Sequence, residues 1–288
     1  MKPPKKCPIT GKEMRPIFSR RIMDKYDVSY FYCDESGVIQ TEEPYWLPEA
    51  YRSVIFPLDT SVASRNYGNA RRLEPILSLL FPEGSVFVDT AAGYGLLTRL
   101  MRDLGFDFYA HDEFSENLFS KPFEAQPGIT AAALSAFEVL EHLSDPVGFL
   151  SAEMKRFGSD TVIASTTIFQ GPIPAFDWAY YSFESGQHVT FYQPRSLDLI
   201  ARALGGRYFR LGPDLHLLTR RVVPAWKLFV LTTPVVRKAH RLAIRFLRRH
   251  RSLTQLDYEM LRARTPPSNQ ACGGANPSSR DPKRNESD

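Results

Sequence analysis

The pattern of residues 86–104 limits the possible folds of this chain more than any other part of the sequence. It consists of a short apolar run that ends in an acidic residue, a loop of small residues, and apolar residues at helical spacing. The run at residues 86–88 ends at Asp89, and apolar residues recur at helical spacing over residues 96–104. Gly105 follows where the C-terminal cap of a helix belongs. A strand–loop–helix unit of this kind is typical of folds with a parallel sheet.

The same alternation of strand-like and helix-like patterns continues along the chain. The predicted elements are strands over residues 106–110, 131–137 and 161–165, helices over residues 145–158 and 197–204, and a closing hairpin over residues 208–211 and 215–219. Strands that alternate with helices predict an α/β fold, with a mostly parallel sheet covered on both faces.

The loop after the first of these strands has the composition of a nucleotide-binding turn. Small residues there let the backbone approach a ligand closely. Asp112 ends the next strand, 23 residues after Asp89, where a carboxylate can accept hydrogen bonds from both hydroxyls of a ribose. The candidate cofactor-binding residues are Asp89, Thr90, Ala91, Gly93, Tyr94, Gly95, Asp112 and Phe137. A tight turn that binds no ligand is the alternative.

Three stretches of the sequence resemble one enzyme family. FVDTAAGYGLLTRLMRDLGFDFYAHDEF resembles the first two motifs of class I methyltransferases, and AFEVLEHLSDP resembles the segment that follows their fourth strand. GQHVTFYQPRSLDLIARALG resembles the later part of methyltransferase-23-type domains. The resemblance covers about residues 70–220. It implies a Rossmann-like sheet that binds S-adenosylmethionine.

The resemblance also implies a role for each cofactor residue. Asp89, Gly93 and Gly95 would shape the site around the methionine end, and Asp112 would hold the ribose. The strand end near Phe137 would lie under the sulfonium. The corresponding loop of the family is richer in glycine. Ala91 and Ala92 differ from that pattern, which leaves the affinity for the cofactor open.

Glu138, Glu141 and His142 form an E-x-x-E-H pattern, and on an α-helix these three side chains would share one face. With His188 from a loop, they are candidate ligands for a divalent metal ion. Small-RNA 2′-O-methyltransferases and ubiquinone-pathway enzymes have a similar arrangement, which implies an ion that orients an acceptor hydroxyl. Two alternatives stay open: the residues brace a helix, or His142 or His188 is a catalytic general base.

The predicted function is methyl transfer from S-adenosylmethionine to a hydroxyl by in-line displacement. Eight aromatic residues lie within residues 169–192, beyond the carboxyl end of a strand, where α/β folds bind ligands. They predict either a lid over a small polar acceptor or side chains that pack over the edge of the sheet. Only the family resemblance implies that the acceptor is a sugar. One alternative is methylation of an RNA 2′-hydroxyl, but the central region lacks the basic stripe that RNA binding favours. Another alternative is an inactive methyltransferase fold that acts as a binding or scaffold protein.

Residues 1–60 contain two incomplete zinc knuckles. Cys7 and Cys33 each begin a pattern in which Thr10 and Ser36 stand where a second cysteine would be. Because two thiolates cannot close a structural zinc site, we predict a zinc-ribbon-like extension that has lost its metal. Its fold would depend on aromatic residues: Phe18, Tyr26, Tyr30, Phe31 and Tyr32. Two unrelated cysteines in turns are the alternative.

The C-terminal part of the chain is basic. Arg220 to Arg251 holds ten Lys and Arg and no Asp or Glu. We predict a cofactor domain at residues 61–220, a basic amphipathic helical segment at 221–263 and a disordered tail at 264–288.

The segment 221–253 could contact a membrane surface, bind nucleic acid (the partner that we expect least) or pack on the core. Without a long apolar run or a signal peptide, a cytoplasmic location is predicted, with peripheral membrane contact left open.

Overall fold

Two β-sheets organise the residues that the computed structural model of the chain describes, which are 5–52, 59–247 and 251–264. The strands are β1 (Arg15–Ile22), β2 (Tyr26–Tyr32), β3 (Ile39–Thr41), β4 (Val86–Thr90), β5 (Asp107–His111), β6 (Ala133–Phe137), β7 (Thr161–Ser165), β8 (Thr190–Phe191), β9 (Arg207–Arg210) and β10 (Leu215–Thr219). The α-helices are α1 (Leu47–Ala50), α2 (Val62–Leu80), α3 (Leu96–Asp103), α4 (Pro146–Arg156), α5 (Pro194–Ala203), α6 (Ala225–Thr232), α7 (Pro234–Phe246) and α8 (Thr254–Arg264).

The larger sheet has six strands in the order β5-β4-β6-β7-β10-β9. Strands β5, β4, β6 and β7 are parallel, whereas β10 is antiparallel to both of its neighbours. This confirms the predicted α/β fold with a mostly parallel sheet and a closing hairpin. The sequence did not predict that the second strand of the hairpin lies inside the sheet and the first at its edge.

Both faces of the larger sheet are covered, as its strand composition requires. Successive side chains of a strand point to opposite faces. Phe87 and Ile163 therefore pack into one apolar cluster with α2 and α3. Val88 and Val162, one position away, pack into a second cluster with α4 and α5. Burial on both faces explains why apolar residues predominate in these strands.

Local sequence sets the ends of the helices that follow the strands. Gly95 has φ 78° immediately before α3, and Gly105 has φ 88° just after it. Both values lie in the left-handed region that glycine adopts without strain. Asp145 caps α4 by accepting a hydrogen bond from the amide of Gly148 at 2.8 Å, and Pro146 is the first residue of the helix. These boundaries confirm the sequence predictions.

The smaller sheet joins the N-terminal region to the middle of the chain. It contains β1, β2, β3 and β8, all antiparallel, and Ile39 of β3 pairs with Phe191 of β8. One buried cluster combines Tyr30 and Trp46 with Tyr181. The N-terminal strands and the aromatic segment at residues 169–192 therefore share one sheet and one core.

The basic segment is helical in the described residues. Leu231 of α6 and Ile244 of α7 are buried, so this segment packs in part against the core. Helix α8 belongs to a second unit that begins at Thr254, whereas the described residues before it form one unit. None of the helices in the described ranges has the length and apolar character that a bilayer span requires. The predicted disordered tail, apart from Arg264, lies outside the described residues.

Candidate functional site

The candidate cofactor loop lies between β4 and α3 and has an unusual backbone. Gly93 and Gly95 have φ of 55° and 78°, and Ala91 also has a positive φ, 52°. This left-handed conformation costs a residue with a Cβ about 1 kcal/mol. Ala91 therefore occupies a position whose backbone favours glycine, and the departure from the glycine-rich loop is a strained one.

The two glycines of the loop face different surroundings. A Cβ added to Gly93 would meet no atom within 4 Å, so this side of the loop borders open space that a ligand can enter. A Cβ added to Gly95 would collide with the side-chain oxygen of Asn117. The amide nitrogen of Asn117 is a buried donor with no partner among the described residues. An open backbone cradle beside an unsatisfied donor is compatible with a nucleoside ligand.

Asp112 connects the end of β5 to the cofactor loop. One carboxylate oxygen accepts a hydrogen bond from the amide of Gly93 at 2.8 Å. The other accepts from the amides of Phe114 and Ser115 at 2.8 and 2.7 Å. Three backbone donors hold the carboxylate in one orientation next to the loop. Oδ1 already accepts two hydrogen bonds, whereas Oδ2 accepts one and has a lone pair left, so a ribose hydroxyl can still donate to Oδ2.

Asp89 lies beneath the loop and is fully enclosed. Its carboxylate accepts a short hydrogen bond from the hydroxyl of Ser135 on β6. Burial raises the pKa of Asp89 to about 7; the Ser135 hydrogen bond opposes this rise, and the nearby charge of Asp112 adds to it. A bound cationic group would favour the ionised carboxylate, because opposite charges stabilise each other most in a buried site.

The remaining predicted cofactor residues are placed around the same sheet edge. The hydroxyl of Thr90 donates to the carbonyl of Ser135 at 3.0 Å and is buried. The carbonyl of Tyr94 accepts from the amides of Leu118 and Phe119, each at 3.0 Å. Phe137 ends β6 and is half-buried. Because β4, β5 and β6 are parallel, these strand ends meet at one edge.

A second group of polar side chains lies beyond the carboxyl ends of β6 and β7. Glu141, His142 and His188 each place one potential ligand atom within 4.8 Å of the other two. The rings of His142 and His188 are 4.9 Å apart between centroids. Glu141 is completely buried, and its Oε2 has no hydrogen-bond partner among the described residues. Three of the four predicted metal-site residues therefore converge.

Glu138, the fourth predicted metal-site residue, does not join this group. It has φ 55° and precedes a short 3-10 helix over residues 140–142, so the E-x-x-E-H segment is not the α-helix that would place all its members on one face. Its Oε1 accepts from Ser165 at 2.6 Å, and its Oε2 is 3.9 Å from Arg65. Burial and the charge of Glu141 raise the pKa of Glu138.

Two backbone carbonyls determine the tautomers of the histidines. Nδ1 of His188 is 2.7 Å from the carbonyl oxygen of Tyr180, and Nδ1 of His142 is 3.0 Å from that of Gln187. A carbonyl can only accept, so each Nδ1 carries a proton, and in a neutral ring Nε2 then keeps the lone pair. Burial, followed by the charge of His188, lowers the pKa of His142 to about 3. His142 is therefore neutral near pH 7.

Two tyrosines that the sequence analysis did not assign to the site complete the group. The hydroxyl of Tyr180 donates to Glu141 Oε1 at 2.7 Å, and the hydroxyl of Tyr51 is 2.8 Å from Nδ1 of His142. Tyr180 also accepts from the amide of Thr167, which follows β7. The aromatic composition of residues 169–192 was the sequence feature that could have identified Tyr180. Most of the other rings in that segment pack against the smaller sheet.

The four knuckle positions of the N-terminal region also come together. Cys7 Sγ is 3.2 Å from the hydroxyl of Ser36, and Cys33 Sγ is 3.7 Å from that of Thr10. Both cysteines are free thiols and buried. The amides of the two glycines that close the turns, Gly11 and Gly37, donate to the carbonyls of Cys7 and Cys33. Burial opposes a low pKa of Cys33, but hydrogen bonds from Ser36 and Thr10 lower it overall.

Comparison with known proteins identifies the central region. The profile of a family described as a methyltransferase domain matches residues 64–208, which is half of the chain. The search of curated proteins gives no match.

Solved structures with a similar chain path are methyltransferases of low sequence identity. The 1,6-didemethyltoxoflavin-N1-methyltransferase of Burkholderia thailandensis is 14% identical over 71% of this chain and 97% of its own, with a TM-score of 0.44. Magnesium protoporphyrin IX methyltransferase from Synechocystis PCC 6803 is 13% identical over 61% and 93%, with a TM-score of 0.42. CalO1, a methyltransferase in calicheamicin biosynthesis, is 13% identical over 59% of each chain, with a TM-score of 0.38. The match thus spans under two thirds of CalO1.

Proposed function

Because the chain belongs to the methyltransferase domain family, we propose that it transfers the methyl group of S-adenosylmethionine to a hydroxyl of a small polar or sugar-type acceptor. The observation that carries this proposal is the convergence of His188, His142 and Glu141 at the sheet edge that also holds the candidate cofactor loop. A methyl donor and a proton acceptor at one edge are what transfer to a hydroxyl requires.

The candidate cofactor residues would bind and orient the donor. Asp112, already held by three backbone amides, would accept a hydrogen bond from a ribose hydroxyl through Oδ2. The open side of Gly93 would let the thioether part of the cofactor lie against the backbone. The charge of Asp89, enclosed beneath the loop, would stabilise the cationic methionine end. Since the reaction is an in-line displacement, alignment of acceptor oxygen, methyl group and sulfur is the main contribution of the protein.

His188 would take the proton of the acceptor hydroxyl. In the neutral ring Nε2 carries the lone pair, because Nδ1 donates to the carbonyl of Tyr180. The proton would leave the hydroxyl as the oxygen–carbon bond forms, and the bond between sulfur and the methyl carbon would break in the same step. His142, whose pKa burial lowers to about 3, is a weak base and would act by orienting its neighbours.

A divalent metal ion is the second form of this proposal. The Oε2 of Glu141 is buried and has no hydrogen-bond partner among the described residues, and one carboxylate oxygen of Glu141 lies within 4.8 Å of a nitrogen of each histidine. Acceptor atoms that converge in this way favour a cation. Glu141, His142 and His188 would hold the ion, and it would lower the pKa of the acceptor hydroxyl. Metal analysis of the purified protein, alongside the variant Glu141→Gln, tests this form. A metal content that the substitution does not change would contradict it.

A binding or scaffold role without catalysis is the second candidate function. The strained backbone of Ala91 favours it, because the extra methyl group lies in the loop that would contact the cofactor. Calorimetric titration of the full chain with S-adenosylhomocysteine separates the two candidates. The methyltransferase proposal predicts saturable binding with one site per chain, and no heat at millimolar ligand would leave only the scaffold role.

Turnover is tested next, with a panel of saccharides and small hydroxylated acceptors. The readout is S-adenosylhomocysteine released from S-adenosylmethionine in the presence of each acceptor. An RNA oligonucleotide included in the panel distinguishes a 2′-hydroxyl acceptor from a small-molecule one. Release on an acceptor that His188→Ala leaves unchanged would contradict a role for His188 as the base. Cofactor binding without release on any acceptor of the panel would contradict the proposed acceptor class.

A further inference from the structure

Helix α7 presents apolar side chains on its outward face. Val235, Ala239, Leu242 and Phe246 are separated by four, three and four positions, which places them in one stripe along a helix. All four are exposed, Val235 at 78% and Phe246 at 89%. A helix on a soluble core normally turns such a stripe inward, so this orientation is the reverse of the usual one.

Arginines on the inward face hold the helix in this orientation. Arg237 donates to the carbonyls of Leu211 and Leu231 at 2.9 and 3.0 Å. Arg241 pairs with the buried carboxylate of Glu74 at 2.7 Å. These bonds would be lost if the helix rotated to bury its stripe. The outward position of the apolar stripe is therefore built into the packing.

Helix α6 adds aromatic side chains to the exposed apolar surface of this segment. Trp226 and Phe229, three positions apart, are each more than half exposed, and Val222 just before the helix is almost fully exposed. We call the outward side chains of residues 221–244 and of Phe246 the α6–α7 surface. Tryptophan and phenylalanine are side chains that partition into the headgroup region of a bilayer.

The charge of the segment selects among the surfaces that could cover these side chains. Arg220 to Arg251 contains no acidic residue, and Arg221 and Lys238 of the α6–α7 surface are exposed. A second copy of the chain would bring like charges together on docking. Anionic lipid headgroups would instead neutralise them, with a gain of about fivefold in binding for each basic residue.

We propose that the α6–α7 surface docks the protein on an anionic membrane surface, with the apolar stripe of α7 inserted among the headgroups and the basic residues paired with lipid phosphates. The two helices would lie in the plane of the interface, since neither can span the bilayer. Arg237 and Arg241 keep their contacts with the core in the docked state, so docking requires no rearrangement of α7.

Sedimentation of the full chain with phosphatidylglycerol-containing vesicles and with pure phosphatidylcholine vesicles tests the proposal. The chain should bind the anionic vesicles, and binding should weaken as salt rises. The double variant Leu242→Ser/Phe246→Ser should bind at least tenfold more weakly, because both substituted side chains are apolar and exposed in the stripe. Lys238→Gln should weaken binding about fivefold.

The matched control is Tyr67→Ser, which removes an exposed aromatic side chain from α2, and it should bind as the unaltered chain does. Circular dichroism should show that all variants keep the fold. Failure of the unaltered chain to bind anionic vesicles would overturn the proposal. The proposal would also be overturned if the unaltered chain self-associates without binding vesicles and the double variant does not self-associate. The α6–α7 surface would then be an interface between two copies of the chain.

Discussion

Nδ1 of His188 lies 2.7 Å from the backbone carbonyl oxygen of Tyr180. The contact uses a backbone atom of Tyr180, whose hydroxyl is bonded to Glu141 Oε1 at 2.7 Å. One residue thus orients both a histidine and a buried carboxylate. The carbonyl fixes the proton on Nδ1, which leaves Nε2 of His188 free to accept a proton or to bind a cation.

Replacement of this histidine should separate catalysis from cofactor binding. His188→Ala should lower turnover at least a hundredfold, because a general base contributes about two to four orders of magnitude. The affinity for S-adenosylhomocysteine should change less than threefold. Turnover on an active acceptor and calorimetric titration of the same preparation provide the two values, and equal losses in both would argue against a catalytic role.

Tyr180→Phe is the matched variant for His188→Ala. It keeps the backbone carbonyl that orients His188 and removes only the hydroxyl that donates to Glu141. If His188 acts alone as a base, turnover should fall far less than in His188→Ala. A loss as large as that of His188→Ala would show that Glu141 has a direct part in the reaction.

Asp112→Asn should weaken cofactor binding. The carboxamide can still accept from the amides of Phe114 and Ser115, but its nitrogen would oppose the amide of Gly93, and it accepts ribose hydroxyls less well. We expect a loss of at least tenfold in affinity for S-adenosylhomocysteine by calorimetry. The neighbouring exposed residue supplies the control, Glu113→Gln, which should leave the affinity unchanged. Equal effects of the two substitutions would contradict the role of Asp112.

Ala91→Gly should stabilise the chain and raise its affinity for the cofactor. Glycine relieves the left-handed conformation of Ala91, and the relief exceeds the entropy that glycine costs by roughly 0.5 kcal/mol. Thermal unfolding and titration with S-adenosylhomocysteine measure the two effects. Ala92→Gly is the paired control: Ala92 has no positive φ, so glycine there should destabilise by about 0.5–1 kcal/mol. A destabilising Ala91→Gly would contradict the strain at this position.

Asp89→Asn should change how the stability of the ligand-free chain depends on pH. Burial raises the pKa of Asp89 to about 7 from an ordinary value of 3.8, so the folded chain holds a proton that the unfolded chain releases. Stability should therefore fall as pH rises from about 4 to 7. Asparagine should remove this loss and stabilise the chain by on the order of 4 kcal/mol at pH 8, with little effect near pH 4. Denaturant unfolding across this range measures it, and a pH-independent difference would contradict the raised pKa.

Two additional cysteines in the N-terminal region should create a zinc site. Sulfurs on a tetrahedral zinc ion with bonds of 2.3 Å lie about 3.8 Å apart, close to the 3.2 and 3.7 Å that separate Cys7 from Ser36 and Cys33 from Thr10. The double variant Thr10→Cys/Ser36→Cys should bind one zinc ion per chain, measured by atomic emission. Stoichiometric zinc on the unaltered chain would refute the loss of the metal, and a variant without zinc would refute the zinc-ribbon interpretation.

The sequence by itself determined the larger sheet and its helices. The apolar run before Asp89, the helical repeat after Gly95 and the cap at Asp145 are local patterns, and a strand or helix depends largely on neighbours within a few residues. The same local information predicted the candidate cofactor loop between β4 and α3. It also predicted the hairpin, but not that β10 lies between β7 and β9.

Only the tertiary structure decided which distant residues meet. It joined β3 to β8 across about 150 residues, brought His188 to Glu141 and His142, and turned Glu138 away toward Ser165. It also directed the apolar stripe of α7 outward, because Arg237 and Arg241 find their partners on the core. Periodicity specifies that a helix has two different faces. Which face is buried depends on the packing and hydrogen-bond partners that remote segments supply, and no local pattern contains that information.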